Sequence, residues 1–142
     1  AQEGLILQND MIERVGIIAT LLEEVTPHEE ERITTQRARL QDLFNQVDSH
    51  NKDRFEQEMI YYLERLDISE EKVRLKAHCD YFIELINDAD EAKGKRLNFV
   101  AQEMGREINT LGSKANHAEI QKIVILMKNE LEKIKEQVLN IV

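Results

Sequence analysis

Glutamates recur through this chain at spacings that would gather them on helix faces. Glu103 and Glu107 lie four residues apart, Glu56 and Glu58 share one short segment, and Glu70 and Glu71 precede His78. In a helix, residues four or seven apart share a face, so Glu103 and Glu107 lie on one face a turn apart, and Glu71 and His78 lie two turns apart along another. Glutamate and histidine side chains converging from several helices are a known way to build a cation site inside a bundle. A carboxylate-bound divalent ion activates a nucleophile and neutralises phosphoryl oxygens, two of the demands of phosphodiester hydrolysis. The bland account is that an acidic pair on a charged helix is a solvated face, and that a lone histidine such as His78 is a hydrogen-bonded core group.

Cations cluster in the same region. Lys95, Arg96, Arg106 and Lys114 lie within one stretch, with Arg65 and Arg74 upstream. Arginine grips phosphate with a two-pronged fork and lysine offers a point charge. Lys114 follows Gly112-Ser113, a small-residue pair expected to form a turn whose backbone N–H groups would help seat a phosphate. Arg106 is also within helical reach of Glu103, so an internal salt bridge accounts for it equally well. Tyr61, Tyr62 and Tyr81 can stack on bases or serve as half-buried rim. The lone Cys79 excludes an internal disulfide and reads as a small buried apolar group.

The elements that must position these residues are helices. Of 142 residues, 33% are charged and 5% aromatic, with one Pro and no Trp, a composition suited to long solvated helices. The expectation is an all-α fold of about five to six helices. Leu5, Met11, Ile12, Val15, Ile18, Leu22 and Val25 mark a first helix. Thr26-Pro27 reads as a restart, with Thr26 at the cap and Pro27 at the first helical position. A second helix to about Val47 would pair back as an antiparallel hairpin through Ile33, Leu40, Leu43, Phe44 and Val47. After a polar turn at 48–52, Asp53 with Glu56 offers a capping box for a helix to about Leu66, and Asp67 or Ser69 starts the next. Leu75, Cys79, Phe82, Ile83, Leu85, Ile86 and Ala89 describe a buried stripe, broken at Asp88 through Gly94. Leu97, Val100, Ala101, Met104, Ile108 and Leu111 form the next core face, from which Gln102, Glu103, Arg106, Glu107 and Asn109 should point away. From Ile120 to Ile141 the apolar residues alternate four- and three-residue steps, a heptad seam to be satisfied either within the chain or by self-association. No apolar run approaches the ~20 residues needed to span a bilayer, and no signal peptide is evident. The net charge of −9 repels nucleic acid in bulk, so any RNA contact calls for a local basic strip or for a further domain.

The stretch Lys-Arg-Leu-Asn-Phe-Val-Ala-Gln-Glu-Met-Gly-Arg-Glu-Ile-Asn-Thr-Leu-Gly-Ser-Lys over 95–114 closely resembles the signature of the YicC/YloC family of bacterial proteins. Residues 55–78, with Glu-Gln-Glu, Asp-Ile-Ser-Glu-Glu and Arg-Leu-Lys-Ala-His in that order, are similar to further family segments, as are the Glu3-Gly4 opening and the closing residues from Glu130 to Val142. The resemblance implies a metal-dependent endoribonuclease, using manganese or magnesium, acting on RNA in the cytoplasm as a homo-oligomer. It also implies that residues 1–142 are a single helical C-terminal domain, a hairpin over 1–47 and the signature region over 53–142, of a larger protein whose N-terminal domain is absent from this chain. On that footing Glu103, Glu107 and His78 are expected as catalytic groups and Glu103, Glu107, Glu71 and Glu58 as metal ligands. Lys95, Arg96, Arg106, Lys114, Arg74 and Arg65 are expected to contact RNA. The alternatives are a non-catalytic helical RNA-binding or oligomerisation module, and a stress-response adaptor that binds proteins through the heptad seam.

Overall fold

Ile120, Val124, Met127, Leu131, Ile134 and Val138 are all buried along one face of the last helix, so the heptad seam is a core stripe. In the computed structural model, residues 2–88 and 93–141 are described, and they form five helices and no strand. These are α1 (Gln2–Asn45), α2 (Lys52–Leu66), α3 (Ser69–Ile86), α4 (Lys93–Lys114) and α5 (Ala118–Ile141). The all-α expectation holds. The α5 seam is covered by α1 on one side and α4 on the other, and α3 closes the bundle against both α4 and α1. The core therefore satisfies the seam within the chain.

Only part of α1 belongs to that core. Met11, Val15, Ile18, Leu22 and Val25 are buried at alternating four- and three-residue steps. Continued, the same register falls on Glu29 and Arg32, and there the apolar stripe ends. Beyond it α1 runs on as an arm against which α2 packs, and α2 itself has no buried residue. At the other end, Arg14 pairs with Asp10 and with Glu130 of α5, each at 2.9 Å, and Gln137 of α5 donates to Asp10. That last bond leads the influences holding the Asp10 carboxyl below its ordinary range.

Three local expectations are corrected. Residues 26–27 do not restart a helix, because α1 passes through Pro27 without interruption. Proline removes the N–H that would reach Glu23 and crowds that carbonyl, but Pro27 and Glu23 are both exposed, so water can donate to the carbonyl in place of the missing N–H. Lys72 of α3 also donates to Thr26 and to Glu29 at 2.8 and 2.7 Å, bracketing the proline. The hairpin expected over 1–47 is accordingly one 44-residue helix. The Asp53 capping box does not form: α2 begins at Lys52 after Asn51, with no side-chain cap, and Asp53 contributes its charge within the first turn. Gly112-Ser113 is not a turn, since α4 continues to Lys114. A Cβ on Gly112 would lie 3.1 Å from Val124 Cγ1, so the glycine lets α4 approach α5 closely. Gly94 likewise lies inside α4, and Ala89 falls outside the described residues. Cys79 is buried as expected, and burial pushes its thiol pKa up to about 12.

Pro27→Ala should stabilise the chain by about 1–3 kcal/mol, because it restores a helix-interior hydrogen bond and removes a steric conflict. Urea unfolding followed by circular dichroism reads this; a loss of stability would instead mark Pro27 as a true helix start.

Candidate functional site

Four helix segments meet where the bundle passes into the arm: the middle of α1, the end of α2, the first turn of α3 and the last turn of α4. Helix ends leave carbonyls and N–H groups without partners, and here charged side chains satisfy several of them. Arg32, only 4% exposed, donates to the Lys114 carbonyl at 3.1 Å and to the Leu66 carbonyl, the ends of α4 and α2. A cation suits the negative end of a helix dipole. Burial pushes the Arg32 pKa down, opposed first by the Glu29 charge. Gln121 donates to the Gly112 and Ala115 carbonyls at 2.6 Å each, closing the end of α4. Asp67 accepts from the Ser69 N–H at 2.9 Å and from its hydroxyl, opening α3.

Two carboxylates are buried beside this junction. Glu71 is 2% and Glu107 7% exposed. Lys114 Nζ lies 2.6 Å from Glu71 Oε1, and Arg74 Nε lies 2.9 Å from Glu107 Oε1. Arg74 also reaches Glu70 at 3.2 Å and Glu71 at 3.8 Å. Its hydrogen bonds, to Glu107 first and then to Glu70, raise the guanidinium pKa further. The second oxygens, Glu71 Oε2 and Glu107 Oε2, are buried with no hydrogen-bond partner. Oxygens in that state are costly unless something supplies a donor or a cation.

Lys114 also faces a cleft of 610 Å³ lined by Tyr61, Tyr62, Glu64, Arg65 and Leu66 of α2 and by Ser113 and Lys114 of α4. Tyr61 and Tyr62 are exposed, and the Arg65 guanidinium sits 5.7 Å from the Tyr61 ring centre. Cations beside exposed aromatic faces are the ingredients of single-stranded nucleic-acid binding.

The structure thus brings together Glu71, Glu107, Arg74, Lys114 and Arg65. Glu107 does not point away from the core as expected, because it occupies a core-facing position of α4 opposite the start of α3. Glu103 is partly buried and lies 3.9 Å from the exposed Arg106, while Arg106 shares a separate 340 Å³ cleft with Lys135. Glu58 is exposed on the arm beside Arg54. His78 is half-buried two turns along α3 from Glu71, about 10.5 Å at 1.5 Å per residue. Lys95 and Arg96 are exposed near the start of α4, roughly 27 Å along that helix from Lys114. Among the described residues, no three of Glu58, Glu71, Glu103, Glu107 and His78 bring donor atoms within reach of one ion.

Comparison with known proteins settles the wider relationship. The family model described as "Endoribonuclease YicC-like, C-terminal" matches residues 21–142. The chain belongs to this family. It is 32% identical over 145 residues to the "Probable endoribonuclease YicC" of Clostridioides difficile and 32% identical over 141 residues to the protein of the same name from Haemophilus influenzae. Each match covers 99% of this chain and 49% of the relative. The chain spans about half the length of these YicC relatives.

Sequence reasoning missed Arg32. It sits in a charged run, His28 to Arg32, where nothing in composition marks it. The register of the α1 stripe is the available signal, since Arg32 falls seven residues after the buried Val25. The same test finds Glu71, four residues before the buried Leu75. It also missed the approach of His28 to His117, whose ring centres are 5.3 Å apart.

The Asp67 cap generates a pH prediction. Hydrogen bonds from Ser69, opposed by burial and helped by Lys114 and Arg32, lower the Asp67 pKa. A lowered carboxyl pKa gives stability that is present above the unfolded value, about 3.9, and lost as pH falls through the folded value. The stability advantage of the parent chain over Asp67→Ala should therefore be full at neutral pH and shrink below about pH 4, as read by urea unfolding at several pH values. An advantage that stays constant would refute the cap's role.

Proposed function

We propose that this chain is the helical half of an RNA-cleaving endoribonuclease and that it holds RNA in the cleft between α2 and the end of α4. The observation that carries the reading is the double engagement of Lys114, which lines that cleft while its ammonium lies 2.6 Å from the buried Glu71 carboxylate. Unstacked bases would rest on Tyr61 and Tyr62, and Arg65 and Lys114 would meet the phosphates. The overall charge of −9 makes this a local attraction within a repelling field, so binding should weaken steeply with salt.

Cleavage of a phosphodiester forms one P–O bond and breaks another, so a proton must leave the attacking hydroxyl, charge on the phosphoryl oxygens must be balanced, and the departing oxygen must take up a proton, here from water. In this reading Glu107, buried beside the cleft's Lys114 side with one oxygen held by Arg74 and the other unpartnered, would accept that proton, and Arg74 and Lys114 would balance charge. The manganese or magnesium implied by the resemblance finds only a partial fit, since Arg74 and Lys114 already neutralise the two carboxylates and the expected ligands do not converge. The free Oε2 atoms of Glu71 and Glu107 are the donors left to such an ion, which would supply further charge neutralisation. Exposed Ile125, Leu126 and Leu139 on the outer side of α5 offer a face for the expected homo-oligomer.

A second reading, a non-catalytic RNA-binding module, is favoured by the ion pairs that occupy both carboxylates. The two readings separate in an assay of labelled structured RNA with the full-length protein and with this chain, each with EDTA or with added manganese or magnesium. Glu107→Gln should lower cleavage about 10²-fold or more while leaving RNA affinity within about twofold, normalised to folded protein by circular dichroism. Lys114→Met should weaken binding and flatten its salt dependence by about one phosphate contact. Cleavage undiminished in Glu107→Gln would remove Glu107 from the chemistry, and binding without cleavage by either protein would favour the module.

A further inference from the structure

At the root of the arm, α1 and the α4–α5 linker bring two imidazoles and a carboxylate together. His28, Glu31 and His117 each offer a donor atom, and these atoms all lie within 4.8 Å of one another. We propose that they form a binding site for a first-row transition-metal dication of the zinc type. The inference does not rest on the ribonuclease reading and concerns a different set of residues.

The donors are held rather than merely near. His28 and Glu31 are three residues apart on α1 and so share a face. His117 is fixed from the other side by its backbone: its main-chain N–H donates to the Ala115 carbonyl at 3.0 Å, while the long 3.4 Å contact of its Nδ1 with the Ile120 N–H is given up when either ring nitrogen takes an ion, since an ion on Nε2 leaves the ring proton on Nδ1. Arg32, one turn beyond His28, binds the Lys114 carbonyl and so fastens the same stretch of α1 to the end of α4. The rings stand 5.3 Å apart at an interplanar angle of 40°. The rings are tilted rather than stacked, and a nitrogen of each lies within 4.8 Å of the other and of a Glu31 oxygen.

The chemistry selects the ion. Two imidazole nitrogens and one carboxylate oxygen are a donor set for zinc-like ions, whereas magnesium and calcium favour oxygen donors throughout. Tetrahedral bonds of about 2.0–2.1 Å put ligand atoms about 3.3 Å apart. The site must therefore tighten from its 4.8 Å limit, and the exposed Glu31 side chain is free to swing inward. Three protein ligands leave a fourth position, which water would fill. Bound there, the ion cross-links α1 to the α4–α5 linker at the root of the arm.

The test is a titration of cobalt(II), then zinc chloride, into tag-free chain stripped with chelator, with no RNA present. One equivalent of cobalt should bind and give the visible absorption of a tetrahedral site, and zinc should displace it. A hundredfold excess of zinc over its Kd should raise Tm by roughly 5–10 °C. His28→Gln and His117→Asn should each weaken binding at least tenfold and remove the visible bands, while His50→Asn on the far arm leaves them unchanged. His28→Gln alters a helix surface, so it remains informative if His117→Asn fails to fold. Absence of saturable binding by folded chain, or binding that survives His28→Gln, would overturn the site. Zinc binding unaffected by Glu107→Gln would keep this result separate from the fate of the ribonuclease reading.

Discussion

Arg32 carries a full positive charge to a position where a helical bundle ordinarily places a leucine or a valine, and the surroundings are organised to tolerate it. An unpaired buried charge is among the costliest groups a fold can contain. Here the guanidinium is met by carbonyls at the ends of α2 and α4, groups that would otherwise lack partners themselves. The arrangement works only if both helices end at this point, so the lengths of α2 and α4, the start of α3 and the register of α1 are coupled through one side chain. With Lys72 on Thr26 and Glu29 a turn earlier, it also explains how a proline-bearing helix is carried through without a break.

Around that charge the character of the interior changes. Toward the chain termini of α1 and α5 the bundle is a conventional apolar core, with residues such as Met11, Ile18, Met127 and Ile134 fully buried. Toward the arm, core-facing positions are taken by Glu29, Arg32, Glu71 and Glu107; Lys72, Lys114 and Arg74 compensate the three carboxylates, and helix-end carbonyls meet Arg32. Removing one member of such a network leaves another charge uncompensated, so these residues are tied together more tightly than their individual ion pairs imply. The network also excludes an apolar continuation of the bundle, which is why α2 rests on the arm without a core of its own.

The apolar stripes of α3, α4 and α5 were legible because periodicity is a strong local signal and nothing interrupts it in those helices. The boundaries at Pro27 and Gly112 were misread for one reason: residue type was given its usual local meaning, whereas tertiary contacts decided otherwise. Lys72 brackets the proline, and Val124 occupies the space a side chain on Gly112 would need. Glu107 was misplaced by the same habit, since its charge suggested solvent while its register suggested core. The signature segment drew attention to α4, yet within it Lys114 meets Glu71 at one end of the helix while Lys95 and Arg96 lie at the other. The register of α1 put Arg32 on the core face, but its partners, like the His28–His117 approach, come from elements distant in the chain, and no spacing within one helix encodes them.

Because α2 buries nothing, the arm has little to resist motion except its attachment at Glu29 and Arg32. From Pro27 to Asn45 it extends about 27 Å as continuous helix, so a tilt of about ten degrees at the root displaces the tip by about 5 Å. Tyr61, Tyr62 and Arg65 ride on the partner helix close to the pivot, where the same tilt moves them far less. The geometry is that of a lever with its grip beside the fulcrum: a large excursion of the tip corresponds to only a small change in the width of the cleft.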